Sequence, residues 1–140
     1  MKKILSVMLV VALSLSCVLM LSACGKNSQV AGTYEMVSIS GTVTMNGQTV
    51  TLSEGLYDYY RIILNDDGTA KVESKGAGNT SVIEQEGTWE YEDNKVKLRS
   101  TTSGITVVEE MDWEDGTITY VANQSAQGMT ISMTLILEKQ

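Results

Sequence analysis

The sequence predicts an all-β fold: a small up-and-down antiparallel β-barrel of eight or nine strands in meander order. Three observations carry this. No helical periodicity of any length survives past residue 30, whereas period-two alternation recurs and is strongest at the carboxyl end. There Met129, Ile131, Met133, Leu135 and Leu137 share one face and Thr130, Ser132, Thr134 and Glu138 the other, the pattern of a strand with one buried and one wet side. Turn signals interrupt the chain every ten or so residues, the spacing of short strands joined to their sequence neighbours. A meander of that many strands has two raw edges unless it closes, and the absence of proline means that no edge is blunted by that residue.

The elements follow in order. Lys2 and Lys3 form a short positive n-region, and residues 4–21 are an apolar run interrupted by Ser6, Ser14 and Ser16, so residues 1–23 read as a secretory signal peptide. The run closes on Leu21-Ser22-Ala23-Cys24, which resembles the lipobox of bacterial lipoproteins: an aliphatic residue, two small residues and a cysteine at the cut. The resemblance implies a thioether-linked diacylglycerol on Cys24 as the first mature residue. It also implies a place in the cell envelope, at the outer face of the cytoplasmic membrane or in the periplasm of a cell with two membranes. Two acyl chains hold a protein lastingly where one holds marginally. The competing readings are a plain transmembrane anchor, for which the run just suffices, and a cleaved signal without lipid. Cys17 leaves with the signal, so the processed domain keeps no thiol for a disulfide. Residues 24–30 read as a short polar tether and residues 31–140 as the barrel.

Within the barrel, Val96 and Leu98 alternate with Lys95, Lys97 and Arg99, and Ile118, Tyr120 and Ala122 alternate with Thr117, Thr119 and Val121. Asn46-Gly47, Asp67-Gly68 and Asp115-Gly116 are dipeptides that tolerate positive φ at a hairpin tip, and Glu92-Asp93-Asn94 suits a longer turn. Looser breaks fall at 53–55, 76–79, 101–104 and 123–128. One segment, 53–60, is compatible with a short helix capped by Ser53, and Gly55 limits its length.

Gly-Thr recurs at 32, 41, 68, 87 and 116, and two copies extend to Gly32-Thr33-Tyr34-Glu35 and Gly87-Thr88-Trp89-Glu90. In the extended pair, glycine lets the chain bend into the strand and the aromatic two residues on points inward to plug an end of the sheet. These stretches, with residues 64–70, 86–91 and 129–139, resemble the lipocalin-like family of small bacterial lipoproteins. The first strand of that family opens with Gly-x-Trp, and Asp-Gly-Thr and Gly-Thr-Trp recur later; Tyr34 stands here where larger members have tryptophan. The resemblance implies a barrel around a ligand cup, with no cofactor.

Composition removes much chemistry. Histidine is absent, which excludes Ser/His/Asp nucleophilic catalysis and histidine-ligated metals. From residue 24 onward 8 basic residues face 17 acidic ones, a balance that argues against nucleic acid. Glu109, Glu110, Asp112, Glu114 and Asp115 form the densest acidic cluster, which reads as a solvated strand face with calcium as the alternative. Glu109 departs from this, because alternation from Ile105 and Val107 puts it on the apolar side. Either a bulge near Val108 rotates it outward, or it sits inside the cup facing Arg61. Tyr57, Tyr59 and Tyr60 cluster before a strand, as core filling or as part of a mouth.

The expected function is that of a membrane-anchored, non-enzymatic barrel binding a small apolar or amphipathic ligand or an envelope component. The candidate ligand-facing residues are Tyr34, Tyr60, Arg61, Trp89, Glu109 and Met133. The alternative is a protein-interaction module with a filled core, acting through its acidic outer face.

Overall fold

Alternating apolar and polar residues give nine strands in the structure, a computed structural model that describes residues 27–140. The signal segment and Cys24 lie outside the described residues. The strands are β1 (Gly32–Met45), β2 (Gln48–Thr51), β3 (Tyr57–Leu64), β4 (Thr69–Gly76), β5 (Ile83–Glu92), β6 (Lys95–Thr102), β7 (Ile105–Glu114), β8 (Thr117–Ala126) and β9 (Met129–Lys139). From β3 to β9 each pairs antiparallel with the next, and β1 pairs with both β3 and β9, so eight strands close into an up-and-down barrel. The extra strand, β2, lies on the far part of β1, opposite residues 42–45. Closure removes the two raw edges that an open meander would expose.

The inner wall is the every-other-residue row of each strand. Leu135 and Leu137 of the carboxyl-terminal comb are buried, together with Ile118, Val96, Leu98, Met111, Ile62 and Leu64. Lysines and arginines take the opposite parity and meet acids across the strands, as in Lys95–Asp112 at 3.0 Å, Arg99–Glu90 at 3.2 Å and Lys75–Asp58 at 2.9 Å.

Turn chemistry sets the strand ends. Asn46-Gly47 and Asp115-Gly116 have positive φ at both positions, as expected of two-residue hairpins. The breaks at 101–104 and 123–128 are tighter than the sequence suggests. Ser103-Gly104 and Gln127-Gly128 adopt the same conformation, and β8 therefore runs on to Ala126. Serine and glutamine are weak signals for the first position of such a turn, and the glycine that follows each supplies the second at little cost. The segment compatible with a helix is a single 3-10 turn, Glu54–Leu56, and Ser53 makes no side-chain cap. The tyrosine- and isoleucine-rich run from Tyr57 continues as strand instead.

The two ends of the barrel differ. At one end residues 27–30 form a helical turn closed by the Ala31 amide on the Asn27 carbonyl, and Val30 is fully buried. Residues 27–30 thus belong to the packed fold, although they fall inside the stretch read as tether. Tyr34 donates its hydroxyl proton to the Val30 carbonyl and accepts from Trp113 Nε1 at 2.8 Å, while Trp89 Nε1 donates to the Asn65 carbonyl at 2.8 Å. Tyr91 stands edge-on to Trp113 with ring centroids 5.5 Å apart. These rings plug this end, which is the role that the two extended Gly-Thr units suggest.

Toward the other end the wall parts along two seams. β7 and β8 pair over residues 112–114 and 117–119 alone, and β1 and β3 over 32–35 and 61–64. One lobe is the five-stranded run β3 to β7; the other is β8, β9, β1 and β2.

Candidate functional site

Between the seams lies a cup of about 310 Å³ lined by Tyr60, Ala70, Val72, Gln85, Leu98 and Val107 together with Gly87, Ser100 and two acids, Glu86 and Glu109. Its origin is visible in the strand register. Ala70 lies opposite Gly87, and Gly87 opposite Ser100, so three neighbouring strands place a small residue at the same level of the inner wall. On the two flanking strands the partners at this level are Leu64 and Val107. None of the three small residues between them fills the space before it, and that space persists as a cup. Gly87 serves a second purpose: a Cβ there would lie 2.1 Å from the Arg99 carbonyl oxygen, so the close approach of β5 to β6 requires glycine.

Glu109 faces inward. The β6–β7 ladder runs without a break from Lys95–Asp112 to Thr102–Ile105, so no bulge rotates it toward solvent. It is half-buried and accepts a hydrogen bond from the Tyr120 hydroxyl at 3.2 Å. Burial first, and the Glu109 charge second, raise the Tyr60 hydroxyl far above the ordinary tyrosine range and raise Tyr120 in the same direction. Both are therefore protonated across the neutral range. Gln85 Nε2 donates to Ser100 Oγ at 2.8 Å, adding a second polar point to the wall.

The three clustered tyrosines separate. The β3–β4 register shifts between Tyr57 and Tyr59, and this irregularity at Asp58 brings Tyr57 to the side of Tyr60, ring edge to face with centroids 5.9 Å apart. Tyr59 lies outside under Arg61, whose guanidinium is 4.5 Å from the ring centroid. Arg61 does not face Glu109. It lies on the outer wall near Glu35 at 3.6 Å and Glu73 at 3.7 Å, because Tyr60 and Ile62 hold the inward parity of β3.

Of the other sequence candidates, Tyr34 and Trp89 belong to the plug, where their polar atoms are engaged as described. Met133 is half-buried on β9 between Gly41 and Ala122 and packs on the core away from the cup lining. Tyr60 and Glu109 remain as cup residues. Sequence reasoning did not single out Tyr120, Val72, Gln85 or Ser100. Tyr120 carried a signal, since it shares its parity with Ile118 and Ala122.

In the acidic cluster, Asp112 is tied to Lys95, whose ammonium this hydrogen bond shifts to a higher pKa, and Glu110, Glu114 and Asp115 are exposed. Among the described residues no three acidic or thiol side chains converge on a point that would hold a metal ion. No helix among them is long and apolar enough to cross a membrane.

Comparison of the chain with protein families, with curated proteins and with solved structures finds no match.

Proposed function

We propose that this protein is a non-enzymatic, envelope-anchored barrel that binds a small amphipathic molecule in its cup. The observation that carries the reading is the cup itself: about 310 Å³ of space built into the wall by the Ala70–Gly87–Ser100 row, within the range of small-molecule sites. The inner faces of the strands at its mouth add apolar surface. Ile83 is 69 % exposed, Ile105 68 %, Val50 58 % and Met45 54 %, apolar exposure of the kind that a partner or ligand covers.

In this reading residues 1–23 direct export and Cys24 carries the lipid. The described chain starts at the plugged end, where Lys139 Nζ donates to the Gln29 carbonyl at 3.1 Å. A lipid on Cys24 would therefore hang the barrel by its plug, with the cup facing away from the membrane. Anchoring is tested with Cys24→Ala: release from the membrane or an uncleaved signal is expected, and normal processing with full membrane retention contradicts it.

Native mass spectrometry of the purified full chain tests the binding reading. A bound small molecule at one per chain, displaced by added phenylbutanol, supports it. Absence of both a co-purified molecule and phenylbutanol uptake favours the alternative, a filled module acting through its acidic outer face.

A further inference from the structure

We propose that the cup selects an amphipathic organic cation, with the ammonium group seated against Glu109 beside Tyr60 and Tyr120 and the apolar body over Val72, Leu98 and Val107. This rests on the binding reading above and narrows it to one ligand class.

The inference comes from where the charges go. Every described lysine and arginine between residues 61 and 99 is engaged in an ion pair: Arg61, Lys71, Lys75, Lys95, Lys97 and Arg99 each meet a carboxylate within 4.0 Å. The remaining described base, Lys139, donates to the Gln29 carbonyl at the plugged end. Seven acids are matched in this way, namely Glu35, Asp58, Glu73, Glu84, Glu90, Glu92 and Asp112. The two acids that border the cup, Glu86 and Glu109, are not among them, and of these Glu86 is exposed whereas Glu109 is half-buried. Glu109 is the inward-facing acid on β7, and among the described residues its hydrogen bond comes from a neutral donor, the Tyr120 hydroxyl. A carboxylate that lines the cup and meets no base in these ion pairs offers a cationic ligand a charge-assisted hydrogen bond.

The surroundings suit an ammonium in a second way. Tyr60 lines the cup, Tyr57 stands edge-on to it, and Tyr120 reaches the carboxylate. Tyrosine rings beside a carboxylate offer both π-faces and a counter-charge, which together recognise organic cations. The same charge repels a fatty acid or another anionic amphiphile from the same cup. The chain's net charge of −7 adds a long-range pull on cations.

The test uses the full chain in discs of zwitterionic lipid, with empty discs as the blank, and equilibrium dialysis of three matched probes: phenylbutylamine, phenylbutanol and phenylbutyrate. The inference expects the amine to bind roughly tenfold or more tighter than the alcohol, as a charge-assisted hydrogen bond provides, and the acid to bind weakest. Glu109→Gln is expected to abolish the amine's advantage over the alcohol, and an unchanged urea midpoint of the variant shows that it is folded. Equal affinities for the three probes, or an amine preference that survives in Glu109→Gln, overturns the cation inference and leaves the cup reading standing. Failure of all three to bind overturns both.

Discussion

Trp113 Nε1 donates to the Tyr34 hydroxyl at 2.8 Å, joining the first barrel strand to the seventh across 79 residues of sequence. The same hydroxyl donates to the Val30 carbonyl, so one oxygen links β1, β7 and the amino-terminal turn. This junction holds together the end at which both seams are still paired, and the opposite end is free to part into a cup.

Removal of that oxygen is the first prediction. Tyr34→Phe keeps the ring and leaves the Trp113 N–H and the Val30 carbonyl without their partner in the plug. A loss of about 1–3 kcal/mol is expected in urea unfolding. Probe binding in the cup is expected to persist, because Tyr34 does not line it.

A second prediction concerns close strand approach. In Gly87→Ala the new Cβ meets the Arg99 carbonyl oxygen at 2.1 Å, a contact with backbone that no side-chain rotation relieves. Destabilisation of about 1–3 kcal/mol or more is expected from such overpacking. Gly55→Ala is the control: nothing lies within 4 Å of its Cβ, and a change within about 0.5 kcal/mol is expected.

Alkaline pH gives a third. Burial raises the hydroxyls of Tyr34, Tyr60 and Tyr120 above the ordinary value of 10.0. Below that value both folded and unfolded chains keep these protons. Above it the unfolded chain releases protons that the folded one retains, so stability falls as pH rises through and beyond 10. Urea midpoints measured between about pH 8 and pH 11 should fall over the upper part of that range, and Tyr60→Phe should make the fall shallower. A midpoint that stays level to the top of the range contradicts the burial of these tyrosines.

The fourth prediction fills the cup. Ser100→Leu adds apolar volume to the small-residue row and takes the partner from an exposed Gln85 amide. Stability should change by no more than about 1 kcal/mol, while binding of phenylbutanol by the full chain is lost or sharply weakened. Unaltered binding places the ligand elsewhere.

Much of this architecture was legible in the residues. The comb ending at Leu137 sets the inner wall of β9, the two extended Gly-Thr units mark the plug, and the parity of Ile105 and Val107 places Glu109 inward. Arg61 was not legible, because β3 reads Tyr-Asp-Tyr-Tyr-Arg-Ile-Ile-Leu and is apolar on both parities. Its direction is settled by closure against β1 and by the register shift at Asp58, both of which depend on distant strands. Val37 is similar: the β1–β9 register shifts between Met36 and Ser38 and leaves this valine 43 % exposed in an otherwise regular strand. The small-residue row behind the cup is equally hidden, since Ala70, Gly87 and Ser100 become neighbours only once three strands are in register.

The most direct test of an open cup above a plugged base is solution NMR of the full chain with phenylbutanol, read as nuclear Overhauser contacts from its ring to methyl groups. Contacts to Val72, Leu98 and Val107 with none to Ile118 or Leu137 are the predicted result. Contacts confined to outward methyls such as those of Val37 and Val121, or no contacts at saturating probe, would contradict it.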